Sequence, residues 1–137
     1  MTESTKGTGR IMNKTILCID DQKEIRDLMC DYLGTLGFNV ITAADGDEGL
    51  KKALEEQPDL IFLDIMMPKK NGYAVLRELK SNCKLWDIPV IIVSVQSGME
   101  DMCQLEGADH FFSKGFRLKE IAEAAEKILH KKSLAAH

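Results

Sequence analysis

The sequence lacks the features of a stapled, metal-knotted or membrane-bound chain. Its four cysteines, Cys18, Cys30, Cys83 and Cys103, form no CxxC pair and no His/Cys cluster with zinc spacing. Free thiols in a reducing cytoplasm are therefore the expected state. No apolar run approaches the length of a membrane span, so no membrane association is expected. Residues 1–13 lack the hydrophobic stretch of a signal peptide and read as a flexible leader. Positive charge is not in excess: the net charge of −4 argues against broad binding of nucleic acid through its phosphates. Repeats and low-complexity segments are absent. The 137 residues have the length of one domain, which at this size needs no staple to bury an adequate core.

What is present is a regular alternation. Lys14–Ile19 is a near-continuous apolar, β-branched run, as expected of a strand covered on both faces. An amphipathic stretch follows, with Ile25, Leu28, Met29, Tyr32, Leu33 and Leu36 on one helical stripe and Gly37 at a left-handed terminus. Phe38–Thr42 reads as a second strand. Asp45 and Glu48 form a capping-box pattern ahead of a helix bearing Leu50, Ala53 and Leu54. Asp59–Leu63 reads as a third strand, Tyr73–Lys80 as a helix with Val75, Leu76 and Leu79 inward, and Ile88–Val93 as a fourth strand. Ser97–Glu100 repeats the cap pattern before a short helix closed by Gly107. His110–Ser113 is a fifth strand. The last helix carries Leu118, Ile121, Ala122, Ala125, Ile128 and Leu129 on one face. Five strands alternating with five helices imply a doubly wound α/β sheet over residues 14–131, with 132–137 as a tail.

Polar residues fall at particular places in this pattern. Asp20, Asp21, Asp64, Ser94 and Lys114 each stand just past the carboxyl end of an expected strand. In an open α/β sheet those ends share one edge, where ligands bind. Three carboxylates gathered there repel one another by roughly 4 kcal/mol per pair at about 4 Å and an effective dielectric near 20. One lysine offsets only part of this. A hard divalent cation resolves it, and oxygen ligands without His or Cys favour Mg²⁺. A carboxylate is also a known covalent nucleophile for phosphate, with Lys114 as a point charge and Ser94 as a hydroxyl donor.

With these residues in order, the chain closely resembles the receiver domains of two-component signalling, such as the chemotaxis receiver. The elements of the resemblance are Asp20-Asp21, the run Asp64-Ile65-Met66-Met67-Pro68 with Gly72 after it, Ser94, and Lys114 preceded by Phe111. It covers nearly all of 14–131. The resemblance implies a flavodoxin-like fold, a five-stranded parallel sheet in the order 2-1-3-4-5. It implies that Asp64 accepts a phosphoryl group from a histidine kinase or phosphotransfer protein. Mg²⁺ would be held by Asp21, Asp64 and the backbone carbonyl of Met66, with Asp20 helping directly or through water. Ser94 and Phe111 would form a switch pair that alters the face of the fourth helix, fifth strand and last helix, where a downstream protein binds. A stand-alone cytoplasmic phosphorelay regulator acting through protein partners, without direct nucleic-acid binding, is the expectation.

Three positions depart from the family's pattern. Gly115 stands where Pro usually follows the lysine, Val95 where a small residue is common, and Phe111 replaces the frequent Tyr. Val95 and Gly115 keep open a second reading, a receiver-like interaction module that works without phosphate. A haloacid-dehalogenase-like phosphatase would need a second Asp two residues after Asp64, where Met66 stands. Flavin binding would need a phosphate-cradling loop after Ile19, where two carboxylates stand instead. Plainer roles also remain for single residues. Asp20 and Asp21 suit a helix cap, Phe111 suits a static core position, and Met66, Met67 and Met99 suit packing. His110, His130 and His137 read as surface residues.

Overall fold

The computed structural model describes residues 13–94, 98, 100–113 and 117–135. Expected roles for Val95, Ser97, Met99, Lys114, Gly115 and His137, and for the leader to residue 12, lie outside these. Ten elements follow in alternation. They are β1 (Thr15–Ile19), α1 (Lys23–Thr35), β2 (Asn39–Ala43), α2 (Gly46–Glu56), β3 (Leu60–Leu63), α3 (Gly72–Ser81), β4 (Val90–Ser94), α4 (Glu100–Leu105), β5 (His110–Ser113) and α5 (Leu118–Ala135). The sheet is parallel throughout, in the order β2-β1-β3-β4-β5. This is the doubly wound, flavodoxin-like arrangement expected from the resemblance.

Burial follows that order. The central strands β1, β3 and β4 are buried almost without interruption, whereas the edge strands β2 and β5 are half-buried. Their unbroken apolar runs reflect helices on both faces. Side chains alternate across the sheet. Leu17, Ile19, Ile61, Leu63, Val90 and Ile92 pack with α2, α3 and Cys103 of α4. Ile16, Cys18, Leu60, Phe62, Ile91 and Val93 pack with α1 and α5. Each such side chain contributes about 1.5–3 kcal/mol of burial.

Local signals explain the boundaries. Asp45 caps α2 by accepting from the Glu48 N–H at 2.8 Å, and the Glu48 carboxylate accepts from the Ala44 N–H at 2.8 Å. Gly37 and Gly107 take the left-handed backbone that ends a helix, with φ of 97° and 101°. The strand limits shift by a residue or two from the sequence reading. Asp59 lies before β3, because its carboxylate accepts the Thr15 N–H at 2.8 Å while its own N–H donates to the Thr15 carbonyl. Asp109 does the same for Val90, at 2.9 Å and 2.8 Å.

The apolar stripe of α1 is narrower than its sequence suggests. Leu28 and Leu36 are exposed, as is Leu54 on α2. Ile25, Met29, Tyr32 and Leu33 alone meet the core, and Leu36 is the C-cap, beyond the helical face. Among the described residues no helix is long and apolar enough to cross a membrane.

Glycine is required at Gly72, where a Cβ would stand 2.1 Å from the Asp64 carbonyl oxygen. Nothing lies within 4 Å of such an atom at Gly34, in α1. Gly72→Ala is therefore expected to lower stability by about 3 kcal/mol, since backbone must move. Gly34→Ala should raise it by about 0.5–1 kcal/mol. Denaturant midpoints compare the two, and a neutral Gly72→Ala would contradict the close approach.

Burial, then the charges of Cys30 and Asp20, push the Cys18 thiol above its ordinary value of 9.0. The folded chain holds this proton at a pH where the unfolded chain releases it, so stability falls as pH rises above that value. In the native state a thiol reagent should modify exposed Cys83 and spare Cys18 and Cys103, which are buried. Peptide mapping after brief labelling checks this, and prompt modification of Cys18 would contradict it.

Candidate functional site

The register of the central strands sets the site. Ile19 pairs with Leu63, and Leu63 with Ile92. Asp20 and Asp64 thus stand one residue beyond neighbouring strands, and Ser94 ends the next. Two backbone bonds extend the sheet pattern into the acids: Asp20 donates to the Ala43 carbonyl at 3.1 Å and Asp64 to the Ile19 carbonyl at 3.0 Å. Their main chains are consequently as fixed as the strands.

The three acids converge. One carboxylate oxygen from each of Asp20, Asp21 and Asp64 lies within 4.8 Å of the others. Asp20 and Asp64 are buried and Asp21 is exposed. The donor set suits a hard cation. Neighbouring oxygens around an octahedral Mg²⁺ are about 2.9 Å apart and opposed ones about 4.2 Å, so the carboxylates would draw closer around the ion. An all-oxygen trio with one open side also leaves positions for water or a phosphoryl oxygen, as Mg²⁺ prefers.

Helix capping does not account for the acidic pair. The N-cap of α1 is Gln22, which makes no side-chain cap bond, and Glu24 is the acid in the first turn. Asp20 instead closes a local turn, its Oδ1 accepting from the Gln22 N–H at 2.9 Å.

Ser94 is fully buried as the last residue of β4, opposite Ser113. Lys114, directly after Ser113, is outside the described residues. Phe111 is half-buried and packs on the α2–α3–α4 side of the sheet, while Phe112 faces the other side. A pocket of about 170 Å³ between α4 and β5 has Phe111, Glu100 and Gln104 in its wall.

Met66 departs from the packing role its sequence suggests. Its side chain is 51% exposed, while its N–H turns inward to Asp64 Oδ1 at 3.2 Å. Met67 is buried in the core as expected.

The loop from Asp64 to α3 is tied at several points. The Ile65 carbonyl accepts from both Met67 and Gly72 N–H groups, at 3.0 and 2.8 Å. Asn71 caps α3 through the Ala74 N–H at 3.0 Å. Lys70 spans Asp47 of α2 and Glu78 of α3, and its hydrogen bonds to Glu78 and then Asp47 raise its ammonium above the ordinary value. Sequence reasoning missed Asn71 and Lys70. An Asn ahead of a helical run was a readable cap signal, whereas the Lys70 partners, 23 and 8 residues away, carry no local signal.

Arg26 was also missed. It shares a narrow cavity wall with Asp20, Asp64 and Phe62.

Known proteins agree with this arrangement. The family model described as the response regulator receiver domain matches residues 16–126. The alkaline phosphatase synthesis transcriptional regulatory protein PhoP of Bacillus subtilis is 38% identical over 126 residues, 91% of this chain and 52% of that protein. The chain thus spans about half the length of such regulators. Protein PilG of Pseudomonas aeruginosa is 36% identical over 111 residues, 80% of this chain and 82% of PilG. Among solved structures, the response regulator TrrA of Thermotoga maritima, in complex with Mg²⁺–BeF, is 34% identical with a TM-score of 0.75. That similarity covers 83% of this chain and 97% of TrrA. A match running from β1 into α5, with backbone agreement of this extent, makes this chain a member of the response regulator receiver domain family of two-component systems.

Proposed function

We propose that this receiver domain takes a phosphoryl group onto Asp64 from a phosphohistidine of a histidine kinase or phosphotransfer protein, with Mg²⁺ as its cofactor. The observation that carries the reading is the meeting of the Asp20, Asp21 and Asp64 carboxylates within 4.8 Å of one another. In the transfer an Asp64 carboxylate oxygen forms a bond to phosphorus as the histidine nitrogen–phosphorus bond breaks. The product is an acyl phosphate, and the electron pair of the broken bond returns to the imidazole.

Asp21 and Asp64, with the Met66 carbonyl, would hold the metal, and Asp20 would assist. Bound there, Mg²⁺ supplies charge neutralisation for the developing phosphoryl oxygens. The Met66 N–H, at 3.2 Å from Asp64 Oδ1, helps fix the orientation of the accepting carboxylate. Lys114 offers a point charge to the phosphoryl group and Ser94 a hydroxyl donor. Ser94 and Phe111 then relay the change to the face formed by α4, β5 and α5, where a downstream protein binds. The receiver unit extends over residues 14–131 and works in the cytoplasm.

Incubation with a small acyl phosphate and Mg²⁺, followed by intact-mass measurement, should add one phosphoryl group to the wild type and none to Asp64→Asn. Asp21→Asn should slow the addition by about a hundredfold, because it weakens the hold on the cation whose charge would stabilise the transferring phosphoryl group. An unmodified wild type would sink the phosphoacceptor reading. Lys114→Ala is expected to keep some phosphorylation but lose the accompanying change in amide shifts around β5. Undiminished shifts would remove Lys114 from the relay.

A further inference from the structure

The turn that carries Asp20 and Asp21 leaves β1 without a side-chain cap on the helix that follows. Its geometry is held from two directions. The Asp20 side chain accepts from the Gln22 N–H at 2.9 Å. On the other side, Arg26 Nη1, one turn into α1, donates to the Asp20 backbone carbonyl at 2.7 Å. That carbonyl belongs to the peptide plane joining Asp20 to Asp21. Fixing the plane fixes the positions of both flanking Cα atoms, because a trans peptide has no internal freedom, and leaves the departure of the Asp21 side chain to one backbone dihedral, its φ. The guanidinium is half-buried, and α1 anchors its base through Ile25 and Met29 on either side in the core.

We propose that Arg26 is a positioning residue for the divalent cation: by holding the Asp20 carbonyl it aims the Asp20 and Asp21 carboxylates toward that of Asp64. This rests on the reading of the three acids as a Mg²⁺ site. Two effects of Arg26 oppose each other there. Its positive charge disfavours a second cation nearby, so simple Coulomb reasoning says that removing it tightens Mg²⁺ binding. Its hydrogen bond organises the ligands, so removing it weakens binding. The second effect dominates for two reasons. A partly exposed charge acts through an effective dielectric of about 20, which reduces its repulsion of the cation. Mg²⁺ demands near-ideal octahedral geometry, which makes ligand direction costly to lose.

The opposite signs make the test decisive. Calorimetric titration of Mg²⁺ into the full chain should show Arg26→Met binding roughly tenfold more weakly than wild type, the scale of losing an outer-shell partner. Arg26→Lys, whose ammonium still donates to the carbonyl, should recover most of the affinity. Binding by Arg26→Met that equals or exceeds wild type overturns the positioning role while leaving the acidic site intact. Absence of Mg²⁺ binding by the wild type overturns the site itself and this inference with it. Circular dichroism checks that each variant folds. If Arg26→Met does not, Arg26→Leu, which also lacks both charge and donor, carries the same sign test.

Discussion

The pairing of β1 with β3, with Ile19 opposite Leu63, is the constraint on which the site depends. It brings two acids side by side at the ends of neighbouring strands, where they repel. The register holds because slipping by one residue exchanges the faces of the sheet. Leu17 and Ile19 would leave the α2–α3 side, and Ile16 and Cys18 would leave the α1–α5 side. At least a dozen large side chains among the described residues are fully buried, each worth about 1.5–3 kcal/mol. Repulsion of roughly 4 kcal/mol per acid pair is small beside that total. The core therefore imposes the crowding, which the proposed cation would relieve.

The two rims of the sheet use the same residue type in opposite ways. At the amino ends, strands present N–H groups, and Asp59 and Asp109 accept from Thr15 and Val90 there. At the carboxyl ends a parallel strand presents carbonyl oxygens, which cannot satisfy a carboxylate. Asp20, Asp21 and Asp64 must find positive charge or N–H groups elsewhere. Two come from the chain immediately following, the N–H groups of Gln22 and Met66. Strand polarity thus separates the acids that cap strand starts from those of the candidate site.

The loop after Asp64 couples this rim to the helices. Gly72 lets α3 begin against the Asp64 backbone, Asn71 caps that helix, and Lys70 joins it to α2. These contacts connect Asp64 to α3, whose Tyr73 hydroxyl donates to Glu106, just past the end of α4, at 3.0 Å. Phe111 lies on the same side of the sheet. The structure joins Asp64 to the α4 side through contacts of known length.

Sequence by itself determined the alternation of strands and helices, the central position of the most apolar runs, and the grouping of Asp20, Asp21, Asp64 and Ser94 at strand ends. These were legible because periodicity and strand polarity are local properties of the chain. Only the tertiary structure decided that Leu28, Leu36 and Leu54 face solvent, since stripe width depends on what packs opposite. It alone exposed the Met66 side chain, joined Lys70 to Asp47 and Glu78, and turned Arg26 onto the Asp20 carbonyl. An arginine or lysine on a helix or loop reads the same in sequence whether it meets water or a backbone oxygen. Its partner is chosen by the three-dimensional approach of chain segments, which no local pattern encodes.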